Sequence, residues 1–207
     1  MSDIRIVKSG GEGEIVEKKS TFTARIIPVS TEEEAATFIE KIKKQHWDAR
    51  HNCYAFVIGD NNEITRCSDD GEPSGTAGRP ILDILLKEGI HNACAVVTRY
   101  FGGVLLGTGG LVRAYSSAVK EALASCETGV LTSCVRITLT MNYNEITKMQ
   151  NLFEATSDLI ENTEYLENVK MTVVIPDSQV EERKKQIIEE SAGKIVIEDI
   201  GPCQVVI

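Results

Sequence analysis

Two glycine-rich polar stretches, residues 68–80 (SDDGEPSGTAGRP) and 99–113 (RYFGGVLLGTGGLVR), set the strongest limit on how this chain folds. Each follows a strand-like run and opens onto a helix-like one, so each must redirect the chain sharply between two regular elements. The first packs Asp69, Asp70, Glu72, Ser74, Thr76 and Arg79 among three glycines; the second places Arg99 and Arg113 at either end of five. Glycine lets backbone N–H groups come close to a ligand, and a helix N-terminus adds partial positive charge. A loop built this way can hold a phosphate or carboxylate, or it can be a tight structural turn. The residues alone leave both readings open.

Around these loops, the first part of the chain alternates strand and helix patterns. Residues 14–18 and 22–29 read as a β-hairpin around Lys19-Ser20. Ser30 and Thr31 start a helix, with Glu33 and Glu34 placed for a capping box. Ala35, Phe38, Ile39 and Ile42 form its apolar stripe. Residues 52–58 are apolar on both faces, which predicts a central strand, and 59–62 turn it into a second strand at 64–68. Pro80 suits the first turn of a helix that carries Ile81, Ile84 and Leu85 and ends at Gly89. Residues 91–100 predict another buried strand. In the last helix Leu111, Ala114, Tyr115, Ala118, Val119, Ala122 and Leu123 fall on one stripe.

The chain divides near residue 130. Residues 135–141 read as a strand and 145–156 as a helix. Residues 159–165 and 169–175 are strands around Glu167-Asn168, 181–191 a second helix and 194–200 a closing strand. This βαββαβ order is that of a ferredoxin-like sandwich, an antiparallel sheet with two helices on one face. The expected fold class is therefore α+β, with a domain at 1–130 that carries both loops and a ferredoxin-like domain at 134–207. Its acidic residues read as a solvated surface.

Charge and cysteine usage narrow the function classes. The net charge is −9, so the chain as a whole repels nucleic acid. Residues 134–207 hold 7 basic and 13 acidic side chains, which leaves −3 for residues 1–133. A local basic face remains open if Arg79, Arg99 and Arg113 converge. The cysteines at 53, 67, 94, 126, 134 and 203 form no C-x-x-C pair, which argues against a zinc site; those inside apolar runs read as reduced core residues. No window reaches the apolar length needed to cross a bilayer, and the first residues (MSDIRIVKSGGEGE) lack a signal-peptide core. The expectation is a cytoplasmic protein without membrane association.

The two loops resemble a known signature. SDDGEPSGTAGRPIL followed by TRYFGGVLLGTGGLVRAYSSAVKEAL is similar to the signature of the IMPACT family, in particular its bacterial branch, often called YigZ-like. His51-Asn52-Cys53-Tyr54-Ala55 also fits that pattern. The resemblance covers residues 10–126, and the tail looks like the small C-terminal domain of bacterial members. It implies that the first domain is a βα sandwich like a domain of a small-subunit ribosomal protein and of elongation factor G, and that the tail resembles another elongation-factor domain. Eukaryotic members act in translational control by competing for a protein activator of a stress kinase. They use an additional N-terminal domain, for which these 207 residues have no room. A link to translation is what the resemblance leaves as the expectation.

Three chemistries follow from the residues. In the first, Gly107-Thr108-Gly109-Gly110 leads into the last helix, Thr108 caps it, and Arg113 sits in its first turn. Arg99 could then close the other side of a phosphate through a bidentate contact. Ser74, Thr76 and Arg79 of the first loop complete this candidate phosphate- or ligand-binding set. No G-K-[ST] follows the glycines, which excludes a nucleotide-triphosphatase P-loop, and the spacing is wrong for a dinucleotide fold. In the second, Asp69, Asp70 and Glu72 support the loops as a turn with helix-cap chemistry or by pairing with an arginine, or else ligate Mg²⁺; no other cofactor is expected. In the third, His51 and Cys53 share a strand face as a thiolate–imidazole pair for ester or amide hydrolysis, with Asp69 to orient the imidazole. Cys53 belongs to an apolar run, however, where a free cysteine behaves as a small hydrophobe.

Two function classes survive. The favoured one is a non-catalytic regulator associated with translation, in which the glycine/arginine face touches RNA phosphates, the ribosome or a translation-related protein. The alternative is a hydrolase-like small-molecule enzyme acting on a phosphorylated or carboxylated substrate between the two loops.

Overall fold

The computed structural model describes residues 4–206, which divide into two compact units between Val130 and Leu131. The chain is α+β. The first unit has strands β1 (Ile4–Ser9), β2 (Gly11–Glu17), β3 (Ser20–Pro28), β4 (His51–Ile58), β5 (Ile64–Ser68), β6 (Ile90–His91) and β7 (Ala93–Tyr100). Its helices are α1 (Glu32–Gln45), α2 (Gly78–Lys87) and α3 (Thr108–Ser125). Five strands form an antiparallel sheet in the order β2-β3-β7-β4-β5. The short β6 pairs in parallel with β1.

The central position of β7 and β4 explains their unbroken apolar runs. On one face α1 packs Ala35, Ile39 and Ile42 against Phe56, Ile58, Cys94 and Val96. On the other, α2 and α3 bring Ile81, Leu85, Tyr115 and Ala118 against Phe22, Cys53, Ala95 and Val97. Successive side chains of a strand point to opposite faces, so a strand covered by helices on both sides needs apolar residues at every position. Helix α1 starts with the capping box that its sequence predicts. Thr31 Oγ1 accepts from the Glu34 N–H at 3.2 Å, while the Ser30 N–H donates to the Glu34 carboxylate at 2.6 Å.

The hairpin turn lies one residue earlier than the sequence suggests. Lys18 and Lys19 carry φ of +46° and +67°, the double positive-φ geometry that matches strand twist in a two-residue turn, and Ser20 already opens β3. Strand β1 has no counterpart in the sequence reading, and the predicted strand 91–100 is split at Asn92, whose φ is +53°, into β6 and β7.

The second unit comprises the later part of β8 (Glu127–Met141), then α4 (Ile146–Thr156), β9 (Leu159–Tyr165), β10 (Val169–Pro176), α5 (Val180–Ser191) and β11 (Val196–Val206). Its antiparallel order is β11-β8-β10-β9. Ile137, Leu139, Met171, Val173 and Ile175 meet Met149, Phe153 and Ile187 of the helices in its core. Strand β11 runs to Val206, well past the predicted stop at residue 200. Gly201-Pro202 reads as a strand end, but a register shift between Asp199 and Gly201 absorbs it, and an edge strand tolerates proline. Among the described residues no helix is long and apolar enough to cross a membrane.

Candidate functional site

The loops 69–77 and 101–107 emerge at the same end of the first unit's sheet, because His51 at the start of β4 pairs with Arg99 near the end of β7. Between them is a cleft of about 340 Å³, with Glu72 and Pro73 on one side, Leu105, Gly107 and Thr108 on the other, and His51 and Arg99 also lining it. Two glycines shape this end. A Cβ on Gly102 would lie 2.0 Å from the Lys19 carbonyl, so the chain can leave β7 beside the hairpin turn only without a side chain. Gly107, at φ +71°, is the N-cap of α3.

Beside the cleft is a buried ion pair. Arg99 Nη1 lies 2.5 Å from Glu72 Oε1, and both side chains are more than nine-tenths buried. The Tyr115 hydroxyl donates to the same oxygen at 2.8 Å. The Arg99 guanidinium carbon is 5.3 Å from the Phe22 ring centre and 5.5 Å from that of Phe101, an arrangement favoured by the rings' negative faces. Arg99 Nε is buried without a hydrogen-bond partner. A buried guanidinium demands a counter-charge, and here Glu72 supplies it. Arg99 therefore serves as an internal tie between β7, the first loop and α3, rather than as a free cation waiting for a phosphate.

The three acids of the first loop go three separate ways. Asp69 accepts the backbone N–H groups of Gly75 (2.8 Å), Ala77 (3.0 Å) and Gly78 (2.8 Å), covering the start of α2. Burial pushes its carboxyl up, but the three amides outweigh burial and hold it below the ordinary carboxylate value. Asp70, at φ +43°, accepts the Asn52 N–H at 2.7 Å and pairs with Lys43 at 3.1 Å. Glu72 turns inward to Arg99. Among the described residues no three His, Cys, Asp or Glu side chains are grouped as a metal site. Ser74, Thr76 and Arg79 do not line the cleft. Ser74 is exposed, the Thr76 hydroxyl donates to the Pro73 carbonyl at 2.6 Å, and exposed Arg79 pairs with Asp83 at 2.7 Å.

Three of the predicted ligand residues, Thr108, Gly109 and Gly110, form the first turn of α3, and Arg113 follows one turn on. Thr108 is the first residue of α3, not its cap, and makes no side-chain capping bond; backbone conformation at Gly107 starts the helix instead. The Leu111 N–H donates to the Gly107 carbonyl, so the N–H groups of Thr108, Gly109 and Gly110 precede the helical ladder. The exposed Arg113 guanidinium folds back to 3.6 Å from where a Gly109 side chain would begin. It has no ion-pair partner among the described residues.

His51 and Cys53 are separated by their bonding. His51 Nδ1 is 2.8 Å from the Asp70 carbonyl, which can only accept, so Nδ1 carries the proton. Its Nε2 is 3.9 Å from Glu72 Oε1, beside the cleft. Cys53 is fully buried; its thiol donates to the Asp69 carbonyl at 2.9 Å, with the Tyr115 hydroxyl at 3.4 Å. Burial pushes this thiol well up, the Tyr115 bond opposes that, and Glu72, Asp70 and Asp69 reinforce it. A buried, protonated thiol facing a carbonyl is a poor nucleophile.

Four residues at this end were not singled out by the sequence reading. Tyr115 was read only as a stripe residue, although a buried tyrosine hydroxyl needs a partner. Arg50 stacks 5.3 Å from the Phe101 ring centre. Trp47, the one tryptophan of the chain, is 83% exposed, and Leu105 is 84% exposed. Tryptophan scarcity was the one available signal.

Comparison with known proteins agrees with the loops. Residues 18–123 match the Impact N-terminal domain, and 139–194 match a domain of unknown function, DUF1949. The IMPACT family member YvyE of Bacillus subtilis (strain 168) is 45% identical over 195 residues, covering 93% of this chain and 89% of YvyE. The IMPACT family member YigZ of Escherichia coli (strain K12) is 38% identical over 180 residues, covering 86% of this chain and 88% of YigZ. Protein IMPACT of Homo sapiens is 34% identical over 98 residues, 45% of this chain and 30% of that protein. A solved structure titled as that of a hypothetical protein is 36% identical, with a TM-score of 0.61 over 97% of this chain and 98% of the other. The glycine-rich loops, the fold that carries them and these relatives lead to one conclusion: the chain belongs to the IMPACT family.

Proposed function

We propose that this protein is a non-catalytic regulator associated with translation, and that it binds a translation-related protein through the end of the first unit where α3 begins. The observation that carries this reading is a contrast between inside and outside. Cys53, Tyr115, Glu72 and Arg99 are bonded to one another or to backbone, whereas Leu105 and Arg50 stand exposed at the cleft and Arg113 stands exposed on α3. Exposed large apolar side chains beside arginine are the usual composition of a protein-binding hot spot. An acidic group of the partner would sit on the first turn of α3, against Thr108, Gly109, Gly110 and Arg113. The link to translation rests on the family.

Co-sedimentation with ribosomes across a salt series tests this, with Leu105→Asp and Arg113→Ala as variants that disturb only exposed side chains. The expected result is binding reduced about tenfold or more by Leu105→Asp and a few-fold by Arg113→Ala, with shallow salt dependence. Steep salt dependence with loss only in Arg113→Ala would point to RNA phosphates instead. No binding at low salt would overturn the reading. One observation favours the enzyme alternative: His51 Nε2 borders the cleft next to Glu72. That alternative requires a turnover abolished by His51→Ala.

A further inference from the structure

We propose that Cys134 and Cys203 are a redox-modification site, joined by a reversible disulfide that staples β11 to β8 when the protein meets a hydroperoxide. Cys203 lies directly opposite Cys134 in the antiparallel register, so both side chains are on one face of the sheet. It is the one cysteine pair in register among the described strands.

Two prolines show which kind of pair this is. Pro202 stands opposite Val135 and has no N–H, so that pair cannot exchange two backbone bonds. Pro176, opposite Cys134 on the other flank, imposes the same limit there. Hydrogen-bonded and non-bonded pairs alternate along a ladder, so Cys134 turns its backbone groups toward Cys203. In a pair of that type the Cα atoms are about 5.5 Å apart, within the range a disulfide spans. The Cβ atoms of facing residues are about 4.5–5.5 Å apart, against about 3.8 Å in a typical disulfide. Closing the bond must therefore draw the strands together, which favours a labile, reducible link over a permanent one. β11 is an edge strand, and its register shift between Asp199 and Gly201 lies close to Cys203, so this segment has room to adjust.

Access divides the work between the two thiols. Both line a surface depression with Ser133, Asp177, Pro202 and Gln204. Cys134 is 2% exposed, whereas Cys203 is half-buried and reachable. The Cys203 sulfur attacks an oxygen of hydrogen peroxide; the O–O bond breaks, and the departing hydroxide takes up the thiol proton as one water, leaving a sulfenic acid. The Cys134 sulfur then attacks the Cys203 sulfur. An S–S bond forms, the S–O bond breaks, and hydroxide leaves with the Cys134 proton as a second water. Two thiols lose two electrons and one peroxide is reduced. The link encloses nearly all of the second unit, which restricts its unfolded chain and raises its stability.

The test treats reduced full-length protein with stoichiometric hydrogen peroxide, alkylates the remaining thiols, and digests without reductant for peptide mass spectrometry. The expected product is one intramolecular cross-link between the peptides holding Cys134 and Cys203, reversed by dithiothreitol and retained in Cys67→Ser. Oxidation should raise the melting temperature by about 5 °C, a gain absent in Cys203→Ser. Cys203 recovered as sulfinic acid with Cys134 alkylated, or a cross-link found only between molecules, overturns the proposal.

Discussion

Each unit of this chain buries one arginine against one carboxylate, and the two pairs are wired in opposite ways. In the second unit Arg183 uses its whole fork. Nε donates to Asp158, Nη1 to Gln186 and Nη2 to Gln179, the glutamines lying within a turn of Arg183 along the chain. The unmet atom there is on the acid, Asp158 Oδ1, while Asp158 Oδ2 also accepts the Thr156 hydroxyl at 2.7 Å. In the first unit the acid is the better served: Glu72 Oε1 takes both Arg99 and Tyr115, and the unmet atom is Arg99 Nε. The Arg183 fork is completed by neighbours in sequence, so it joins α5 to one carboxylate. The Arg99 pair is assembled from β7, the first glycine loop and α3. The same chemistry closes a helix locally in one unit and assembles a candidate site from distant segments in the other.

Removing one carboxylate gives the largest test of this difference. Glu72→Ala should cost the first unit about 3–5 kcal/mol in a denaturant titration, because Arg99 would stay buried without a counter-charge. The double variant Glu72→Gln/Arg99→Met should recover most of that loss. A cost below about 1 kcal/mol for the single variant would mean that water already serves the pair, and the comparison would collapse. Next in size is Arg183→Met, expected at about 3 kcal/mol with the cleft of the first unit unchanged, since Thr156 still donates to Asp158. Tyr115→Phe should cost about 1–2 kcal/mol by stripping Glu72 of its second donor; an unchanged urea midpoint would remove α3 from the tie.

The smallest effect concerns pH. The Asp69 carboxyl is held below its ordinary value by the α2 amides, so its contribution is complete above the ordinary carboxylate range. That contribution is lost as pH falls through the lowered folded value. Urea midpoints measured from pH 6 downward should show an acid-side decline that is shallower in Asp69→Asn than in the wild type. Equal slopes would assign the decline to other carboxylates.

Much of the fold was legible because it depends on local spacing. The Thr31/Glu34 cap, the α3 stripe and the two-sided apolar run of β4 each follow from residues a few positions apart. The βαββαβ order of the tail was legible for the same reason. The site was legible only in part. The glycine loops wall the candidate cleft, and Thr108, Gly109 and Gly110 open α3 with Arg113 one turn on. Arg79 faces Asp83 on its own helix instead, a contact favoured at four-residue spacing that the sequence reading passed over. Glu72 was one of three similar acids, and nothing within the loop says which of them turns inward.

The sequence by itself determined the periodicity, the caps and the sharp turns between strand and helix, since these depend on backbone conformation and on side chains within one or two turns of chain. Tertiary structure alone decided how the buried Arg99 and Glu72 are partnered. Arg99 meets Glu72 27 residues away and Glu72 meets Tyr115 43 residues away, both through the closure of β7 and α3 around one loop. Burial there makes an unpaired ion too costly to leave, so the packed fold assigns each inward charge its partner, and only the charges left outside remain available to other molecules.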